Sequence, residues 1–314
     1  MLNREEKNYE YFLSIVKYGN ISRAAEALYV TQPTLSKYLH HLEDDLGIQL
    51  IDRSCVPLKL TDAGQCYYEY VMKALQMNQR LEDRFQEIQG NLRGTVTVGM
   101  STWRGSIFLP AILPAFREKY PHIRVNLVEG ISYTFEKAML SNQVDFCLLT
   151  VPSHFSFSTT YEILGKEKIY LVGNREHPLV QRAMKGPVGA NGMRKFNVKW
   201  LDRQQFVSLQ NGQILKQHMD QIFSKYNVTP NEFMATENIS TALNLVNCLP
   251  CFTMAPSLLR YMNNPPPNLE LFEIGTPAWD WKIGMVHRKG AYLSRIVRRF
   301  MAEIRDFYDK AEDL

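Results

Sequence analysis

The sequence of 314 residues lacks the features that place a chain in a membrane or outside the cell. It has no run of about eighteen apolar residues, so no membrane-crossing helix is expected. Its opening stretch, MLNREEKNYEYF, is charged and carries no apolar signal core, which makes the cytoplasm the expected location. The five cysteines are odd in number and scattered, a pattern that fits reduced thiols better than a disulfide framework. Charge of one sign is also scarce. A net charge of +4 does not by itself imply nucleic acid. There is no G-x-S-x-G, no Gly-rich phosphate loop and no metal-ligand spacing among the seven histidines. These absences argue against an enzyme, and neither a cofactor nor a metal is expected. Internal repeats and low-complexity tails are missing too.

What is present centres on Asn20 to Gly64. In Ile21 to Leu28, residues Ile21, Ala24, Ala25 and Leu28 share one helical face. Thr31 is placed to N-cap a second helix, and Pro33 suits its first turn. In that helix Leu35, Leu39, Leu42 and Leu46 repeat at four, three and four, which predicts one buried stripe ended by Gly47. Gln32, Thr34, Ser36, Lys37 and His40 fall away from the stripe. Amides and hydroxyls there suit base edges, and a cation suits phosphate. Leu50 to Arg53 and Val56 to Leu60 read as two short strands forming a wing, with Arg53 and Lys59 available to the DNA backbone or minor groove. The acidic Glu43, Asp44, Asp45 and Asp52 lie close by, so the nucleic-acid reading rests on motif and placement rather than on charge.

AAEAL, TQPTLSKYLHHLEDDLG, LIDR and LTDAG together resemble the winged helix-turn-helix of LysR-type transcriptional regulators. The likeness is continuous over the first sixty-odd residues. Ile51 stands where that family usually has Phe, one core residue for another. The resemblance implies DNA contacts from Ser22, Thr31, Gln32, Pro33, Thr34, Ser36, Lys37 and Arg53.

Asn3 to Tyr18 reads as a first helix with Tyr9, Phe12, Leu13 and Val16 on its apolar face. From Thr61 to about Gln89 a long helix carries Ala63, Tyr67, Tyr70, Ala74, Met77, Leu81 and Ile88 at the alternating spacing of a coiled-coil seam. A small winged domain cannot bury so long a seam, so a partner helix is expected. In the family this is the linker helix that pairs two subunits, which implies a homodimer, assembled further into a homotetramer. GNLRG, from Gly90 to Gly94, marks a boundary and a hinge.

Beyond it strands alternate with helices, which predicts parallel α/β packing. Glu162 to Val172 reads as a crossover into a second, less regular lobe, Gly186 to Asn197 as a loop, and Leu269 to Ile274 as the return to the first lobe. The expected organisation is α/β overall: a winged helix-turn-helix over 1–61, a linker helix over 62–90, and a two-lobed α/β domain over 91–314. The first lobe takes 91–163 and 270–314 and the second 164–269. FREKYPHIRVNLVEG, LSNQVDFCLL and LVGNREHPL resemble phrases of the LysR-type effector domain, which is similar to periplasmic solute-binding proteins.

In that architecture a ligand lies between the lobes at strand C-termini and helix N-termini, where oriented amides hold an anion. Ser101, Thr102, Ser132, Thr150, Ser208 and Thr253 sit at equivalent strand or helix ends and are the expected effector contacts. The effector expected from them is a small anionic or polar molecule. CLPCFTMAP lacks the Gly-rich phrase the family often has at the last of these positions. Cys248 and Cys251 within it have the spacing of a redox dithiol, but the βαβ context of a thioredoxin site is missing, and two buried or semi-buried thiols are the expectation. A solute receptor sharing the two-lobed domain would leave the first ninety residues without a role. A DNA-binding regulator controlled by a small molecule uses all of the chain.

Overall fold

The computed structural model describes residues 2–90, 92–130, 132–151, 158–189, 192–275 and 279–310, with the side chains of 2–6, 76, 80, 83, 86, 87, 132 and 133 left outside it. The chain divides into two compact units, Met1–Ile88 and Gln89–Leu314.

The first unit begins with α1 (Leu2–Tyr18), α2 (Ile21–Ala27) and α3 (Gln32–Leu46). A hairpin of β1 (Ile51–Asp52) and β2 (Lys59–Leu60) follows, and α4 (Asp62–Ile88) completes the unit. Local chemistry sets the boundaries. The Asn20 side chain accepts from the Arg23 amide at 3.0 Å, and the Thr31 hydroxyl accepts from the Thr34 amide at 3.4 Å. Gly47, at φ 68°, closes α3 in the left-handed conformation. Gly19 also needs its positive φ of 57°, and a Cβ there would stand 2.8 Å from Cβ of Pro57. Gly64 has no room for any side chain, because its Cβ would lie 1.9 Å from the Leu50 carbonyl oxygen. That explains the glycine of LTDAG: the first turn of α4 runs directly over the start of the wing.

Phe12, Ile15, Ala24, Leu35, Leu39 and Val71 are fully buried and form the core of this unit. The expected stripe of α3 holds as far as Leu42, which is half-buried, and fails at Leu46, which is 47% exposed. Leu46 lies in the last turn, beyond the reach of the core. The inward position belongs to Glu43, whose Oε1 accepts from the amides of Leu50 at 2.8 Å and Ile51 at 3.1 Å. The seam on α4 is divided. Ala63, Tyr67 and Ala74 pack on the core with Val71, a residue the seam spacing omits. Tyr70, Met77, Leu81 and Ile88 are exposed, Met77 at 75%.

The second unit runs through β3 (Gly94–Met100), α5 (Thr102–Lys119), β4 (Ile123–Glu129), α6 (Ser132–Leu140), β5 (Phe146–Thr150) and β6 (Thr159–Asn174). It continues through α7 (Pro178–Met184), β7 (Arg194–Phe196), β8 (Gln205–Leu209), α8 (Ile214–Tyr226), β9 (Asn231–Thr236), α9 (Ile239–Cys248) and β10 (Phe252–Pro256). β11 (Leu269–Ile274), β12 (Asp280–Arg288) and α10 (Arg295–Lys310) finish it. The first lobe orders its strands β4-β3-β5-β12-β6, with β4, β3 and β5 parallel and β12 antiparallel. The second orders them β7-β11-β6-β10-β8-β9. β6 serves both. Its 159–168 half pairs with β12, and its 169–174 half lies between β10 and β11. Residues 169–174 are all buried, as a strand covered on both faces must be.

Two expectations change here. Leu269 to Ile274 does not rejoin the first lobe: β11 pairs with Tyr170 to Asn174 of β6, and the chain returns with β12. In CLPCFTMAP the FTMAP becomes β10, five buried residues between β6 and β8. Arg194 to Phe196, inside the expected loop, forms β7.

Candidate functional site

In the first unit α3 presents one face outward. Gln32, Pro33, Thr34, Lys37 and His40 are exposed, Ser36 is half-buried, and Ser22 and Thr31 are exposed on the preceding turns. The hydroxyls of Thr31 and Thr34 lie 2.8 Å apart, so capping the helix also fixes two of the expected contacts. Arg53 differs from the expectation of a free wing cation. Its Nη2 donates to Glu43 Oε2 at 2.7 Å, and its Nη1 lies 3.1 Å from Nε2 of His40. Glu43 therefore locks the wing to the back of α3 through two amides and one guanidinium. Periodicity alone assigns this position to a solvated charge.

In the second unit a cleft of about 380 Å³ opens where β4, β3 and β5 end. Ser101 follows β3, caps α5 by accepting from the Arg104 amide at 3.3 Å, and lines the cleft with Thr102 and Thr150. The opposite wall comes from the starts of α8 and α9, through Gln213, Ile214, Glu237, Asn238 and Ile239. Gln213 Nε2 donates to the Glu237 carbonyl at 2.9 Å, which ties those two helix starts together. Phe135, Trp103 and Trp281 supply aromatic surface.

Two of the six expected contacts are not brought to the cleft. Ser208 and Thr253 are fully buried within β8 and β10, and the Thr253 hydroxyl donates to the Val207 carbonyl at 2.8 Å. β8 ends at Leu209 as the pattern indicates, but Ser208 is fully buried in the sheet; Thr253, expected just past a helix, lies inside the unforeseen strand β10. The Ser132 side chain lies outside the described residues. Glu129, Gln213, Glu237, Asn238 and Trp281 are lining residues the strand-end rule did not single out. Asn238 and Gln213 carry a legible signal, since each is the N-cap of a helix.

Beneath the cleft Arg104, 4% exposed, meets Glu167, fully buried. Arg104 Nη1 and Nη2 lie 2.5 and 3.0 Å from the two carboxylate oxygens, a bidentate pair. Tyr308 Oη donates to Glu167 at 3.1 Å, and Trp281 Nε1 donates at 3.0 Å. Burial alone would lower the Arg104 pKa, but Glu167 and Tyr308 more than offset it, so the guanidinium stays charged. The Tyr308 phenol is pushed up, first by burial and then by the Glu167 charge. The network joins α5, β6, β12 and α10 where β6 passes between sheets.

Cys251 is buried, and burial pushes its thiol up to about 11, away from the thiolate a redox dithiol needs. Cys248 is exposed. Among the described residues no group of three or more His, Cys, Asp or Glu is placed to hold a metal ion. No described helix is long and apolar enough to cross a membrane.

The comparisons agree with both halves. The family model for the "LysR substrate binding domain" matches residues 89–309, and that for the "Bacterial regulatory helix-turn-helix protein, lysR family" matches residues 7–65. The transcriptional dual regulator GltC of Bacillus subtilis (strain 168) is 26% identical over 310 residues, covering 98% of this chain and 99% of GltC. The uncharacterized HTH-type transcriptional regulator YybE of the same strain is 24% identical over 296 residues, covering 94% and 96%. The crystal structure of full-length CbnR complexed with its target DNA has the same fold, with a TM-score of 0.73 at 21% identity, covering 96% of this chain and 99% of that one. One family model spans the reading helix with its wing and the other the cleft-bearing unit, so the chain belongs to the LysR family: it is a DNA-binding transcriptional regulator with a substrate-binding domain.

Proposed function

We propose that a small-molecule effector bound in the cleft controls this regulator. The observation that carries the reading is the cleft itself. It joins the C-terminal ends of three parallel strands to the starts of α5, α8 and α9, and Ser101, Thr102 and Thr150 line it. Its volume falls in the range of small-molecule sites, about 300–1,000 Å³. The lobes are linked by β6 and by the passage from β11 to β12, so closing the cleft moves one lobe against the other. The effector then shifts an existing equilibrium by its differential affinity, with a coupling of about 1–3 kcal/mol. Operator DNA must alter effector affinity by the same factor.

The same proposal includes how DNA is met. Gln32, Thr34, Ser36 and Lys37 contact bases or phosphates, with Ser22, Thr31 and Pro33 at the entry to α3. Arg53 reaches phosphate only in competition with Glu43. Two chains pair through α4, and pairs assemble further through their effector domains. Exposed Tyr70, Met77, Leu81 and Ile88 support the pairing, since a lone helix leaves this apolar row in water. A dimer presents two reading helices to a pseudo-palindromic site.

The experiment is titration calorimetry of candidate metabolites against wild type and Thr102→Val, followed by footprinting with and without ligand. Binding weakened by the substitution and a changed footprint are expected. A ligand that binds yet leaves footprint and transcription unchanged would sink the allosteric reading.

A further inference from the structure

We propose that the effector is a zwitterion, a small amino compound carrying a carboxylate and an ammonium group in one molecule. This rests on the effector reading above and adds the charge pattern of the ligand.

The anion half follows from the helix starts. Helix N-termini carry unpaired amides and partial positive charge. Three of them, those of α5, α8 and α9, contribute to one cleft. In α5 the Ser101 hydroxyl takes the Arg104 amide and the Ser101 carbonyl takes the Gly105 amide, which leaves the Thr102 and Trp103 amides uncapped. Trp103 lines the cleft, but its indole N–H is closed to solvent, so the backbone amides are the donors offered to a ligand. Arg104 is not available for that role, because Glu167 and Tyr308 already hold its guanidinium.

The cation half follows from the remaining charges. Glu129 ends β4 on the first lobe, and Glu237 follows β9 on the second. Both line the cleft, and neither carboxylate has an ion-pair partner among the described residues. Glu129 Oε1 lies 3.8 Å from where a Cβ on Gly105 would stand, so this carboxylate rests over the first turn of α5, beside the anion site. Arg104, already neutralised, is the lone Lys or Arg of the described lining. The undescribed positions 91, 131, 152–157, 190–191, 276–278 and 311–314 contain no Lys or Arg to add. A dicarboxylate would meet two uncompensated carboxylates. A simple amine would leave three helix starts unused. A molecule with both groups satisfies each set, and Phe135 and Trp281 offer aromatic faces to its ammonium.

The test uses the full-length chain and a deproteinised small-molecule extract of the source organism, read by the rise in melting temperature. The extract is divided on a strong cation exchanger at acidic pH, which retains amino compounds and passes organic acids. The stabilising activity is expected in the retained fraction. It should disappear when that fraction is N-acetylated, and again when its carboxyl groups are methyl-esterified. Glu129→Gln and Glu237→Gln should each raise the concentration needed for half the shift about tenfold, the loss of one hydrogen bond to a charged group. Activity that passes through with the acids, or survives acetylation, overturns the ammonium half. Activity that survives esterification overturns the carboxylate half. If no fraction moves the wild-type melting temperature, the effector reading itself fails.

Discussion

Glu167→Ala tests what holds the two lobes at their crossing. Glu167 is fully buried and accepts from Arg104 twice, from Tyr308 and from Trp281. Removing the carboxylate leaves the Arg104 guanidinium buried and unpaired, with an indole N–H and a phenol beside it also short of an acceptor. Breaking a buried ion pair from one side costs about 3–5 kcal/mol, and these three donors share one acceptor, so their losses do not simply add. At about 2–4 °C per kcal/mol for a unit of this size, the melting temperature should fall by about 10 °C. All four tryptophans, Trp103, Trp200, Trp279 and Trp281, belong to the second unit, so urea unfolding followed by tryptophan fluorescence reports on it alone. The double variant Arg104→Met/Glu167→Met should recover part of the loss, because it removes the stranded charge along with its partner. A loss below about 1 kcal/mol for Glu167→Ala, the scale of an ordinary hydrogen bond, would refute the reasoning. So would a double variant whose loss equals the sum of the singles.

Lys37→Ala should weaken operator binding and lower the slope of log affinity against log salt by about one, measured by gel shift across a salt series. An unchanged slope would take Lys37 off the phosphate. Leu81→Lys places a charge in the exposed row of α4 and should shift the chain toward monomer in gel filtration and abolish two-half-site footprints. A variant that elutes and footprints as wild type excludes α4 as the pairing surface. Glu43→Ala frees Arg53 and unties the amides of Leu50 and Ile51. It should steepen the salt dependence while weakening DNA binding, and a flat response would leave the wing independent of Glu43. Because burial pushes the Cys251 thiol up to about 11, iodoacetamide at pH 8 should label exposed Cys248 and spare Cys251, and peptide mass mapping that finds both labelled would restore the dithiol.

What the sequence shows depends on how local its cause is. Thr31, Pro33 and Gly47 frame α3 through bonds spanning a few residues, so that helix is readable from spacing and caps. Ser101, Thr102 and Thr150 reach the cleft because parallel strands β3 and β5 end together, and an alternation of strands and helices implies that edge. Ser208 misleads because it is buried within the sheet although it lies next to the end of β8, and Thr253 because it belongs to a strand the pattern does not show. Phe252 to Pro256 is short, follows Pro250 and contains no alternation, and a strand covered on both faces cannot be told from a loop by periodicity. The seam on α4 mixes two surfaces. Its Tyr67 and Ala74 face the unit's own core while Met77 and Ile88 face outward, and one apolar spacing serves both.

Two buried carboxylates, Glu43 and Glu167, lie outside every pattern read from the sequence. In LHHLEDDLG the leucine stripe passes Glu43 by, and EILGKEKIYLV reads only as a crossover between lobes. What buries them is non-local. Glu43 meets the amides of Leu50 and Ile51 across a turn. Glu167 meets Arg104 at 63 positions' distance and Tyr308 at 141. A carboxylate two residues before the buried run Ile169 to Val172 cannot be dry without a cation, since an unpaired buried charge costs several kcal/mol. That argument requires a partner but does not choose it among 36 lysines and arginines. The geometry chooses: Arg104 sits in the first turn of the helix that opens at the cleft, so the residue that pairs the crossing strand is also the one removed from ligand binding. The structural demand of Glu167 thereby sets the charge the cleft presents, and with it the class of molecule the cleft can hold.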